Sequence, residues 1–243
     1  MLIEKVLQTL PKDPIPVREI VSGLHWTAVA SRYCGLASSL WSETLPEVPI
    51  PNLTHLIHLS AQELAQYALS SNHLESAIGM AAVNSLLDPT PPGSCDLNAH
   101  DWLTKEGVGK KIAMVGHFPF AEKLAPVAQA LWILEKNPRP GDHPASESKD
   151  LIPEADIVAI TGSAFVNHSI DEVLSYCSPS SIVLVLGPST PLAPALFTEG
   201  ISMLSGTYVT DEPGTLKAIR NGGTYHHLLG VRRMTILKPE SAL

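Results

Sequence analysis

Charge, aromatic side chains and cysteine are all scarce in this 243-residue chain: 16% of its residues are charged, 5% are aromatic and three are cysteine. So little charge excludes a highly solvated, disordered chain. Lys and Arg are outnumbered 16 to 24 by Asp and Glu, which leaves a net charge of −8. A chain of that sign lacks the basic face that displaces counterions from nucleic acid, and it is not drawn to an anionic membrane surface. Long apolar runs are missing too. Stretches such as 182–186 end after a few residues, against about 20 for a membrane-spanning helix. The first residues form a charged amphipathic stretch (Glu4, Lys5) instead of the apolar core of a signal peptide, so a cytoplasmic protein is expected. Cys34, Cys95 and Cys177 are odd in number and far apart, and no CxxC pair occurs. Neither a disulfide framework nor a zinc ribbon is encoded, and reduced thiols acting as small hydrophobes are expected. Also absent are GxGxxG, Walker A, HExxH and GxSxG.

What is present is a core. With 44% hydrophobic residues, a mean hydropathy of +0.13 and 243 positions, the chain can bury one large core or two modest ones. Apolar residues at helical spacing over 2–10 predict a helix that Pro11 ends. The segments 17–22, 24–29 and 34–37, with a tight turn at Gly23, predict short antiparallel strands. Two helices follow, each announced by a capping residue three positions before an acid, Ser60 with Glu63 and Asn72 with Glu75. The second carries Ala77, Gly79, Ala81 and Ala82, small enough to let another element approach closely. The run from Asp88 through Pro89, Pro91 and Pro92 to Gly93 cannot continue a helix and marks a domain boundary. The expected division is an α+β domain over 1–93 and an α/β domain over 94–243.

From Lys110 the pattern changes to short, nearly unbroken apolar runs at 112–115, 130–134, 157–160 and 182–186, with weaker ones at 201–204 and 234–237. Strands covered on both faces read this way, and the helix-sized stretches between them, clearest at 169–177 and 212–220, imply crossovers and a Rossmann-like parallel sheet. Pro126 makes the connection after Phe120 short or kinked. Four strand ends repeat one theme: Gly116-His117-Phe118-Pro119, Thr161-Gly162-Ser163, Gly187-Pro188-Ser189-Thr190, and the segment 204–207 around Gly206. In doubly wound sheets ligands sit beyond the carboxyl ends of the strands, so these loops are the expected small-molecule site. Glu135, nineteen positions after Gly116, falls where a Rossmann acid meets a ribose diol. The bulky Phe-Pro-Phe loop, however, lacks the nest that holds a pyrophosphate, which argues against NAD and for a flat heterocycle or adenosyl group. Of ten histidines only His117 falls at a strand end, where it could ligate a metal or carry a proton. The adjacent His226 and His227 would point apart, and His55 and His58 lie ahead of the capped helix.

The runs 34–38, 76–84, 115–120, 137–142, 160–163 and 186–191 resemble, in order, those of a two-domain prokaryotic family labelled for heavy-metal chelation. The resemblance covers nearly the whole chain. It implies an enolase N-terminal-like first domain, a Rossmann-like second domain and a site in the cleft between them. Carried over, that site takes Gly116, His117, Phe118 and Pro119, then Thr161, Gly162 and Ser163, then Gly187, Pro188, Ser189 and Thr190. The first domain would add Cys34 and Asn84. Asn84 lies deep in a helix, where its amide needs a buried polar partner or an interdomain bond.

Three readings follow. The first is a protein, enzyme or not, that binds a metal ion or a metal-bearing or heterocyclic compound, with His117 and Cys34 as metal ligands and Glu135 as anchor. The second is a transferase using adenosylmethionine or a nucleotide, and the third a scaffold without catalysis. The expected partner is a small molecule or metal, with no nucleic acid and no membrane, and a homo-oligomer is left open by the sequence.

Overall fold

A computed structural model describes residues 1–40 and 53–239. The chain opens with α1 (Leu2–Gln8), then β1 (Glu19–Ser22), β2 (Trp26–Ala30) and β3 (Cys34–Ser38), which form a three-stranded antiparallel sheet. Two helices follow, α2 (Ala61–Gln66) and α3 (His73–Leu86). Their starts are set as the capping pattern predicts. Ser60 accepts from the Glu63 N–H, and the Asn72 side chain accepts from Leu74 and Glu75. The small residues of α3 do allow close packing, since a Cβ at Gly79 would collide with the Ala68 backbone. From the sheet side, a Cβ at Gly35 would collide with Ala81 and Ser85 of α3.

The second unit contains β4 (Ser94–Cys95), α4 (Ala99–Glu106), β5 (Lys111–Val115), α5 (Ala121–Leu124), β6 (Ala130–Glu135), β7 (His143–Pro144), α6 (Ser148–Leu151) and β8 (Ile157–Thr161). It continues with α7 (Ser163–Val166), α8 (Ile170–Ser175), β9 (Ile182–Leu186), β10 (Met203–Val209), α9 (Glu212–Arg220) and β11 (Val231–Leu237). The eight-stranded sheet has the order β4-β11-β10-β9-β8-β5-β6-β7. Strands β6, β5, β8, β9 and β10 are mutually parallel, the flavodoxin-like doubly wound order. The central β8 shows why its residues read as an unbroken apolar run: Ile157, Val158, Ala159 and Ile160 are all buried, with helices and loops on both faces.

Two strand expectations change. The segment 204–207 is not a loop but the middle of β10, where Gly206 faces Met234 of β11. Glycine serves there because the chain crosses it closely: a Cβ would lie 2.8 Å from the Thr190 carbonyl. The last strand, β11, is antiparallel to β10 and begins at Val231, so the sheet is mixed at this edge.

The two units share one core. Leu2, Val6, Ala65 and Met80 from the first belong to the same buried cluster as Val158, Phe165 and Leu204 from the second. Polar links close the seam. Ser38 N–H donates to Ser189 Oγ at 2.8 Å, and Ser76 Oγ donates to the Val166 carbonyl at 2.8 Å. Exposed ion pairs Lys5–Glu199, Arg18–Glu212 and Arg220–Glu19 span it as well.

Candidate functional site

The chain leaves β5 toward β6 on one side and later returns to β8 on the other, so the topological switch point lies between β5 and β8. Crossover connections diverge there and leave a crevice beyond the strand ends. A cavity of about 970 Å³ opens at this place. Its lining includes Gly116, His117, Glu135, Thr161 and Ser163, all expected from the sequence. At Gly116 φ is +103°, and a Cβ would lie 2.9 Å from Thr161 Cγ2, so both the backbone and the neighbouring strand demand glycine.

His117 is the best-supported side chain in the cleft. Its backbone N–H donates to Glu135 Oε1 at 2.6 Å, so this carboxylate fixes the loop after β5. Its ring Nδ1 lies 3.2 Å from Asp142 Oδ2, and the Asp142 side chain is only 3% exposed. A carboxylate accepts and does not donate, so Nδ1 is the donor in this pair, and in the neutral imidazole that tautomer leaves the lone pair on Nε2. Nε2 takes no hydrogen bond among the described residues.

The local sequence explains how Asp142 arrives. Arg139-Pro140-Gly141-Asp142 is a tight turn with proline second and glycine third, closed by the Asp142 N–H donating to the Arg139 carbonyl at 2.9 Å. Gly141 has a φ of +97°, as the third position of a type II turn requires. The turn sends the chain back along β6, where His143 of β7 pairs with Leu134.

Several lining residues were not foreseen. His73, at the start of α3, faces the cleft from the first unit, and Lys136, Asn167, Ser169, Glu172 and Tyr176 complete much of the rest. Burial lowers the pKa of His73, and the nearby positive charges of Lys136 and His168 push it the same way. The His73 ring makes no hydrogen bond within the described residues. Tyr176 donates its hydroxyl to Glu172 Oε1 at 2.8 Å. Between Asn167 and Ser169, His168 holds a φ of 59°, unusual for a residue with a side chain, and its Nε2 donates to the Ser70 carbonyl at 2.7 Å. That bond braces the rim of the cleft against the first unit.

Other expected residues lie elsewhere. Phe118 and Phe120 stack on each other at 5.4 Å, Phe120 meets His100 of α4 at 4.8 Å, and both phenyl rings pack on a core cluster on the far side of the loop. Phe118 and Pro119 therefore do not line the cleft, and the aromatic surface proposed for a flat ligand is used in packing. The loop of Gly187, Pro188, Ser189 and Thr190 serves the seam. Ser189 is bonded to Ser38, and Thr190 sits so close to Gly162 that a Cβ there would lie 2.6 Å from the Thr190 N. Asn84 donates from Nδ2 to the carbonyls of Leu36 at 2.8 Å and Ser189 at 3.3 Å, an interdomain bond.

Cys34, Asn84 and Thr190 meet around a separate hollow of about 30 Å³, room for one water and far below the several hundred Å³ of a ligand pocket. Burial pushes the Cys34 thiol up to about 12, so at neutral pH it is a protonated core residue. The two expected metal ligands, His117 and Cys34, thus stand in different cavities. Among the described residues, no group of three or more His, Cys, Asp or Glu side chains is arranged to hold a metal ion. No helix among them is long and apolar enough to cross a membrane.

A doubly wound sheet joined to a small antiparallel unit, with a cleft at the switch point, defines a two-part α/β architecture. The chain belongs to the DUF364 family, described as "Putative heavy-metal chelation", whose model matches residues 98–238, and a companion model with the same description matches residues 3–87. A crystal structure of a DUF364 protein of unknown function from Desulfitobacterium hafniense is similar, with a TM-score of 0.86, 29% identity and 98% of each chain covered. Another, from Pyrococcus horikoshii, superposes with a TM-score of 0.82 at 19% identity, covering 98% of this chain and 100% of that one. An uncharacterised protein of Methanocaldococcus jannaschii is 25% identical over 167 residues, which span 64% of this chain and 62% of that protein.

Proposed function

We infer that the switch-point cleft binds a metal ion or a small metal-bearing compound, with His117 as its ligand through Nε2. One observation carries this reading: a buried carboxylate, Asp142, holds His117 Nδ1 and leaves the other ring nitrogen without a partner among the described residues. Ligating histidines are characteristically oriented by such an outer-sphere carboxylate, which fixes the tautomer and raises the basicity of the ligating nitrogen. The donor set fits this role as an incomplete shell. The protein brings an imidazole, and the ligand or solvent must bring the remaining donors. Glu135 and Glu172 each already accept a hydrogen bond, from the His117 N–H and the Tyr176 hydroxyl. The family description agrees with a metal as cargo. Glu135, with one oxygen engaged, is a poorer ribose anchor than its sequence position implied, and the aromatic support for a heterocycle lies in the core. Three unpaired cysteines accord with a reducing, cytoplasmic setting.

Calorimetric titration with nickel or zinc, given both as simple salts and as chelates, tests this. His117→Ala abolishes the cleft site, and Asp142→Ala weakens it by about 10- to 100-fold while the fold persists. Equal affinity for wild type and both variants would remove the reading.

A further inference from the structure

The cleft has a second imidazole, whose ring makes no hydrogen bond among the described residues, and it comes from the other unit. His73 stands at the first position of α3 and lines the same cavity as His117. Lys136, which follows Glu135 at the end of β6, also lines it and takes part in no ion pair among the described residues. The side chains that could complete a coordination shell are accounted for: Glu135 and Glu172 are hydrogen-bonded, Cys34 lies in another cavity, and no three-donor cluster exists among the described residues. Two nitrogens do not hold a bare divalent ion well, because zinc sites take three or four protein donors. They are suited to an ion whose other positions are already filled. A free ammonium beside them disfavours a naked cation and favours a ligand with negative charge.

Resting on the reading of His117 as a ligand, we propose that the cargo is an anionic chelate, a metal wrapped in a small carboxylate-bearing molecule, gripped by His117 and His73 from opposite units with Lys136 facing its carboxylate. The cavity of about 970 Å³ accommodates a complex of that size, whereas a lone ion would leave it almost empty. The arrangement also assigns the small unit a role at the site: α3 delivers His73, and the Asn72 cap fixes where that helix begins.

Nickel(II)–nitrilotriacetate is a suitable probe, since it is anionic and leaves two adjacent positions for imidazole. Titration of the intact protein is expected to show one tight site for the chelate, preferred over free nickel(II). X-ray absorption of the complex is expected to count two imidazoles in wild type and one in His73→Ala. Losing one of two attachment points weakens binding by at least about tenfold. Lys136→Gln weakens it by a smaller factor that vanishes at high salt. The His73 ring makes no hydrogen bond among the described residues, so His73→Ala keeps the wild-type melting temperature, and His55→Ala serves as a control for surface imidazoles. If His73→Ala binds the chelate like wild type with an unchanged imidazole count, while His117→Ala loses it, the two-sided grip is wrong and the metal reading survives. Preference for the free ion over the chelate overturns the anionic-cargo claim. No binding of either form by wild type removes both readings.

Discussion

At the scale of single residues, the same chemical types carry opposite roles according to burial. His117 and Cys34 both lie within the ranges that the two family models match, yet only the imidazole reaches a cavity large enough for a ligand. Cys34 is packed among Val21, Ala28 and Leu36 against α9, and desolvation sets its titration. A thiol ordinarily near 9.0 that is raised to about 12 on folding contributes stability below pH 9. That contribution is lost as pH climbs from about 9 toward 12, because only the unfolded thiol ionises freely. Cys177, pushed by burial to about 11, adds in the same direction. Melting temperature is expected to fall through this window and to fall less in Cys34→Ala. In the native protein at pH 8, iodoacetamide should leave Cys34 unmodified; rapid labelling would contradict its assigned place. Sequence reading could find His117 because strand ends are visible as the close of apolar runs. It could not find His73 or tell which way Phe118 turns, since neither depends on spacing along the chain. The sequence signal for Asp142 is the Pro140-Gly141 pair, which folds the chain back onto β6.

At the scale of elements, the parallel strands were legible because each is covered on both faces and shows almost no polar interruption. Segment 204–207 misled because glycine in a strand and glycine in a loop look alike in sequence. The distinction is the Thr190 carbonyl lying over Gly206, a contact between residues far from adjacent. The four apparent glycine loops therefore divide by function. The one after β5 borders the cleft, while that after β9 closes the seam and that after β8 touches both. Gly116→Val tests the first. Its φ of +103° and the 2.9 Å approach to Thr161 make any side chain costly, about 1–3 kcal/mol, with loss of cleft binding. A full melting temperature in this variant would show that the loop is not held as described. Gly141→Ala, in a turn with open space around the missing Cβ, tests the Asp142 delivery more gently, since only its φ of +97° opposes the change.

For the molecule as a whole, the composition shift near Asp88 separates two patterns of secondary structure but not two cores. The largest buried cluster runs through both units, and hydrogen bonds at Ser38, Asn84, Ser76 and His168 cross between them. Each exposed ion pair adds about 1 kcal/mol or less, so continuity of the core does most of the joining. The protein is expected to unfold in one cooperative transition with matching calorimetric and van't Hoff enthalpies. Two resolved transitions would mean that the seam is weaker than its packing implies. The most direct test of the cleft is an anomalous difference map from crystals grown with nickel(II)–nitrilotriacetate. One dominant peak is expected beyond the ends of β5 and β8, about 2 Å from His117 Nε2. A dominant peak at another histidine, with the switch-point cleft empty, would contradict it.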